Sequence, residues 1–146
     1  MKILPSLAAG SVGALALTAL HETVRRLRPC DAPRLDLLGE RGLRKLLAKA
    51  GAAQPDESKA YVLTVTGDVV SNALYYSLVG SGRHSLRRGL LGVAAGVGDV
   101  VLPGPLGLGK GPSNRTPQTQ AMTVAWCTVG GAVAGAVAAA LHKRHR

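Results

Sequence analysis

In YVLTVTGDVVSNALYYSLVG, residues 61–80, Asp68 and Asn72 lie one helical turn apart among side chains that are mostly apolar or small. Asp99 is the sole charged residue between Gly89 and Gly109. A carboxylate in such a setting has two uses. It can be a neutral, hydrogen-bonded structural group, or it can take up and release a proton or small cation. Thr64, Asp68 and Asn72 recur at every fourth residue and Tyr75 and Tyr76 continue the row, so one helix face carries a polar stripe that should meet protein or water and not lipid. Asp68, Asn72, Asp99, Tyr75 and Tyr76 are therefore the candidate ion or proton site. His21 and Glu22, at the end of the first apolar stretch, are a candidate relay. The alternative for that pair is an ion pair of Glu22 with Arg25 or Arg26, one turn on.

These residues need elements to hold them, and the charge pattern predicts which. The Asp, Glu, Lys and Arg residues are almost wholly excluded from four windows, Ile3–Leu20, Ala60–Ser81, Gly89–Gly109 and Ala121–Leu141. Each is about 18 to 22 residues long, enough at about 1.5 Å per residue to cross a hydrocarbon layer of about 30 Å. The expected fold is an all-α integral membrane protein, one membrane domain over residues 1–146. Its four transmembrane helices fall at about 3–24, 60–81, 89–109 and 121–141. The third is exposed to interruption by the prolines and glycines of LPGPLGLGKGP. The first window also has the charged start and apolar stretch of a secretory signal; an uncleaved first helix is the expectation. Because residues 82–88 make a short connection, the second and third spans are expected to be antiparallel neighbours that bring Asp68 and Asp99 to a common interior site near the midplane.

Between the first two spans, Leu35, Leu38, Leu43, Leu46, Leu47 and Ala50 fall on one side of a helix, with Arg41, Arg44 and Lys45 on the other. This predicts an interfacial amphipathic helix at about 34–50, with Pro33 before its first turn and Gly51 at its end. A docking helix for a partner protein is the competing use.

Composition agrees with helices packed in lipid. The chain has 19 Gly and no Phe, so close backbone approach must replace the large rings of a water-soluble core. Gly131 and Gly135, flanked by Ala134 and Ala138, predict a close contact with another helix, of this chain or of a second subunit. The formal net charge of +10 sits at the ends of the apolar windows, in HETVRRLRP, GRHSLRRG and HKRHR, without interleaved aromatics. That is headgroup anchoring, and no nucleic-acid partner is expected. More Lys and Arg stand on the side of residues 21–59 and 110–120, which places that side in the cytoplasm and both termini outside.

Several near-motifs fail on chemistry. GPLGLGKG has the spacing of a phosphate loop but Gly111 where a hydroxyl must hold magnesium, and Pro112 follows. HETVR puts Arg25 where a zinc protease needs its second histidine. Cys30 and Cys127 form no CxxC pair. With no nucleophile–base pair and no ligand cluster, the reading leans away from an enzyme, with no cofactor and no metal. Two functions remain: a homo-oligomeric channel or carrier for protons or small cations, and a non-catalytic accessory or assembly subunit of a larger membrane complex. The partners expected are the lipid bilayer and either further copies or complex subunits, in a bacterial inner membrane.

Overall fold

The computed structural model describes residues 3–30, 32–78, 85–109 and 114–144, without the side chains of 85–89 and 144. Among the described residues it is all-helical: α1 Ile3–Leu27, α2 Leu35–Lys49, α3 Glu57–Ser77, α4 Ser85–Val101 and α5 Pro117–Arg144. The boundaries follow local chemistry. Helix α1 ends on Arg25 and Arg26, cations suited to the negative end of the helix dipole. Helix α2 closes through Ala50 at Gly51, whose φ of 67° is a conformation that glycine adopts without a Cβ clash. Asp56 caps α3 by accepting from the Lys59 N–H at 2.9 Å. Thr116 does the same for α5 from the Thr119 N–H at 3.1 Å, and Pro117 occupies the first helical position.

The third apolar window is not one helix. Helix α4 stops at Val101, and residues 102–107 are turns, because Pro103 and Pro105 cannot continue the hydrogen-bond ladder. Among the described residues, two helices are long and apolar enough to cross a membrane: α1, and α5 over Pro117–Lys143, each with a mean hydropathy of 1.8. The four-helix expectation is met to that extent. Helix α3 has the length but carries the polar stripe, and α4 has only 17 residues.

Helix α1 packs between α3 and α5, α4 covers the other side of α5, and α2 lies on α3. The neighbours thus run α2, α3, α1, α5, α4, with a minor contact of α3 to α5. The expected pairing of α3 with α4 is not the packing seen: among the described residues each rests mainly on another helix. A short connection brings two helix ends together, whereas the packed surface is decided by where backbones can approach.

Those approaches occur at glycines. A Cβ on Gly10 would run into the Ala73 carbonyl of α3 and lie 2.6 Å from Ser77 N. On Gly13 it would lie 2.6 Å from Gly130 O of α5, and on Gly96 2.5 Å from Val124 Cα. Gly131, Gly135 and Ala134 are buried within the chain's own bundle. Around these contacts cluster Ala14, Leu17, Ala32, Tyr76, Trp126, Cys127 and Ala134. Dispersion between close backbones is the cohesive force here, as it is for helices in lipid.

We predict that Gly10→Ala destabilises the bundle by about 1–3 kcal/mol, the usual range for overpacking. Gly67→Ala, where a Cβ meets nothing within 4 Å, should be neutral or slightly stabilising. Unfolding of both variants in mixed micelles, followed by circular dichroism, measures the difference.

Candidate functional site

The polar residues of the structure gather where the ends of α1 and α3 meet the start of α2. On α1, Thr18, Glu22 and Arg25 share one side at helical spacing, with His21 beside them. After α1, residues 32–34 lie against the bundle so that Ala32 and Pro33 are buried and the Asp36 side chain is nearly covered. Arg25 NH2 donates to Glu22 Oε2 at 2.7 Å, and its other terminal nitrogen lies 3.7 Å from Asp36 Oδ2. Arg34 grips Asp36 with two nitrogens, at 2.9 Å and 2.7 Å. Tyr61 of α3 closes the group. Its hydroxyl donates to Glu22 Oε1 at 3.4 Å and accepts from Arg25 at 3.3 Å, and the Arg25 guanidinium stands 5.9 Å from its ring centre.

Asp36 is the most deeply set member, with a side chain 7% exposed. Burial acts to raise its carboxyl, but the Arg34 hydrogen bonds and charge, the Leu37 N–H and the charge of Arg25 together hold it below its ordinary value. The network therefore fastens α2 to α1 through a carboxylate that stays ionised.

His21 is buried at 7% exposure. Its Nε2 lies 2.9 Å from the Pro33 carbonyl oxygen, which can only accept, so Nε2 carries the hydrogen and Nδ1 is the basic position of the neutral ring. The ring rests against Trp126 of α5, centres 5.7 Å apart. A small cavity beside it is lined by Thr18, His21, Glu22, Asp36, Thr64 and Asp68. His21, Glu22 and Asp68 are thus brought to one place.

The rest of the predicted site is distributed differently. The Asp68 carboxylate accepts from Asn72 Nδ2 at 3.0 Å, and Asp68 is exposed on the chain's surface. The stripe does not face wholly inward: Thr64 and Tyr76 are buried, Asn72 and Tyr75 half-buried, and Asp68 opens outward beside Gly67 and Ser71. The Tyr75 hydroxyl donates to the Leu91 carbonyl of α4 at 2.9 Å, and that of Tyr76 to the Cys127 carbonyl of α5 at 2.8 Å. These bonds tie α3 to α4 and α5. Asp99 accepts from Cys127 Sγ at 3.4 Å, so the two aspartates have separate hydrogen-bond partners, although their charges lie within electrostatic reach. Gly131 and Gly135 stand apart from this site, in the packing of α5.

Thr18, Asp36, Arg34 and Cys127 are members that sequence reading passed over. Thr18, Glu22 and Arg25 at helical spacing were a signal for the first of these. Arg34 and Asp36, two residues apart, were a local pair that went unread, and Cys127 had no local signal, since its partner Asp99 stands 28 residues away. Among the described residues, no group of three or more His, Cys, Asp or Glu side chains could hold a metal ion. Comparison of the chain with protein-family models, with curated proteins and with solved structures yields no match.

The Asp36 latch has a pH signature. Its folded carboxyl titrates below the unfolded value, so its contribution is complete at neutral pH and is lost as the pH falls through the folded value. Asp36→Asn should cost about 2 kcal/mol at pH 7, the scale of hydrogen bonds to charged groups, and much less at an acid pH below the folded value of the carboxyl, which itself lies under the ordinary carboxylate value. Micelle unfolding of parent and variant at the two pH values checks it.

Proposed function

We propose that the protein is an integral membrane protein with α1, α3, α4 and α5 in the bilayer and α2 in its interface. As a homo-oligomer, it passes protons or small cations along the polar stripe of α3. One observation carries this reading. Asp68, midway along α3, is exposed on a surface that carries exposed Leu and Val side chains along α3 and α4. Leu63, Val70 and Leu74 of α3, Leu78 just after it, and Leu90, Val93, Val97 and Val101 of α4 are all exposed, while His21, Thr64, Thr119 and Thr123 are buried. That is the polarity of a protein whose solvent is lipid.

A carboxylate facing hydrocarbon costs about 2.5–3.5 kcal/mol even by insertion measurements, so Asp68 calls for a cover. Gly67 and Ser71 flank it, leaving room for another helix to come close. A second copy of α3 at that seam would line it with two sets of Asp68, Asn72 and Ser71. Helix α2 supports the interfacial placement: apart from the Asp36 side chain it is half-buried or exposed throughout, Leu46 is 67% exposed, and Arg41 and Lys45 donate to the carbonyls of Leu108 and Leu106.

The same opening at Asp68 favours a second reading, an accessory subunit that docks on a partner whose span supplies the cation. Mass measurement of the purified protein in detergent separates the two. A defined homo-oligomer supports conduction, whereas a monomer recovered with other membrane subunits supports the accessory role. In vesicles under a pH gradient, Asp68→Asn should abolish proton flux and leave helix content unchanged, because the amide keeps the shape and loses the titratable charge. Undiminished flux in that variant would refute the role given to Asp68.

A further inference from the structure

Two buried threonine hydroxyls, among the described residues, have no hydrogen-bond partner. Thr23, Thr123 and Thr128 each donate to the carbonyl four residues back, at 2.7 Å, 3.0 Å and 2.7 Å, the ordinary resting place of a hydroxyl inside a helix. Thr18 of α1 and Thr64 of α3 do not. Their Oγ1 atoms are buried and have no hydrogen-bond partner among the described residues. Thr64 is 7% exposed, and its methyl group is turned toward Gly39 of α2, where an added Cβ would lie 2.6 Å away. Both threonines line the cavity shared by His21 and Asp68, whose volume is about 20 Å³.

A buried hydroxyl without a partner costs about 1–3 kcal/mol, and two on facing helices cost more than a fold retains without a reason. One water needs about 10–15 Å³ and two to four polar partners, so the cavity takes a single molecule. We infer that this cavity is a one-water site, in which a water held by the Thr18 and Thr64 hydroxyls carries a proton between the His21 ring and the Asp68 carboxylate. The inference deepens the conduction reading and rests on it for the proton's onward path.

The surrounding charges set the direction of transfer. Glu22 is paired with Arg25, and Asp36 with Arg34 and Arg25. Asp68 has Asn72 beside it, the charge of Asp99 within reach from α4, and no ion pair among the described residues. Helix α5 presents the neutral Trp126 ring to His21. A proton on His21 Nδ1 passes to the water as the water gives one of its own to Asp68. The N–H and water O–H bonds break, a new water O–H and the carboxyl O–H form, and imidazolium plus carboxylate become imidazole plus carboxylic acid. No other reactant is required.

The test uses the full-length protein in phosphatidylcholine–phosphatidylglycerol vesicles, with two readouts. Infrared difference spectra in ordinary and oxygen-18 water should show an isotope-shifted band of one buried water. The band should disappear in Thr64→Val and in Thr18→Val and persist in Thr64→Ser. Proton flux under a pH gradient should fall about ten-fold or more in Thr64→Val, as expected when a relay group is removed, and recover in Thr64→Ser. A band indifferent to both valine variants, or full flux in a folded Thr64→Val protein, would overturn the inference. So would flux that requires sodium chloride and fails in choline chloride, since the occupant would then be a cation. If the parent conducts no protons while the band obeys the variants, the conduction reading falls with the transfer step, and the water site itself is upheld.

Discussion

Everything in this bundle depends on how closely helix backbones can approach at a few glycines. Gly10 admits the backbone of α3, Gly13 that of α5, and Gly92 and Gly96 that of α5 from the other side. The chain has no Phe, so few large rings are available to fill space between its helices. In lipid the competing solvent is itself apolar, and the short-range contact of backbone on backbone becomes the decisive attraction. The polar features follow from that spacing. Tyr76 reaches the Cys127 carbonyl because Gly130 leaves its ring the space to lie across α5, and Cys127 then faces Asp99.

The charged network is a second layer laid over this frame. Arg25 serves three partners at once, Glu22 on its own helix, Asp36 on α2 and Tyr61 on α3. A guanidinium suits that task because its planar fork offers donors in several directions and keeps its charge when half-buried. Through it the amphipathic helix, which buries little of itself, is registered against the bundle. His21, the neighbouring residue on α1, is fixed by the Pro33 carbonyl of the segment that leads into α2.

Much of the local structure was legible in the sequence because it is written in short-range chemistry. The end of α2 at Gly51, the stop of α4 before Pro103 and the outward apolar faces all follow from residues within a turn or two of one another. The convergence of Asp68 with His21 and Glu22 was half legible: both groups were recognisable, but nothing local said that α3 would lie along α1. The pairing of α3 with α4 was misread because connection length limits distance between ends and is silent about faces. Small residues occur on so many faces of α1, α4 and α5 that several helix orders satisfy the sequence equally. The Arg25 contact of Asp36 and the Asp99 partner of Cys127 belong to that non-local layer, as does the outward turn of Asp68.

The order of neighbours also has a consequence in time. Helix α1 leaves the ribosome first of the five, yet one of its two packing surfaces, that of Gly13 and His21, is completed by α5, the last. While α2, α3 and α4 are being synthesised, that surface lacks the helix that will cover it. The buried histidine therefore receives its tryptophan neighbour only once α5 has been made, and a chain halted before α5 would display an unfinished seam on α1.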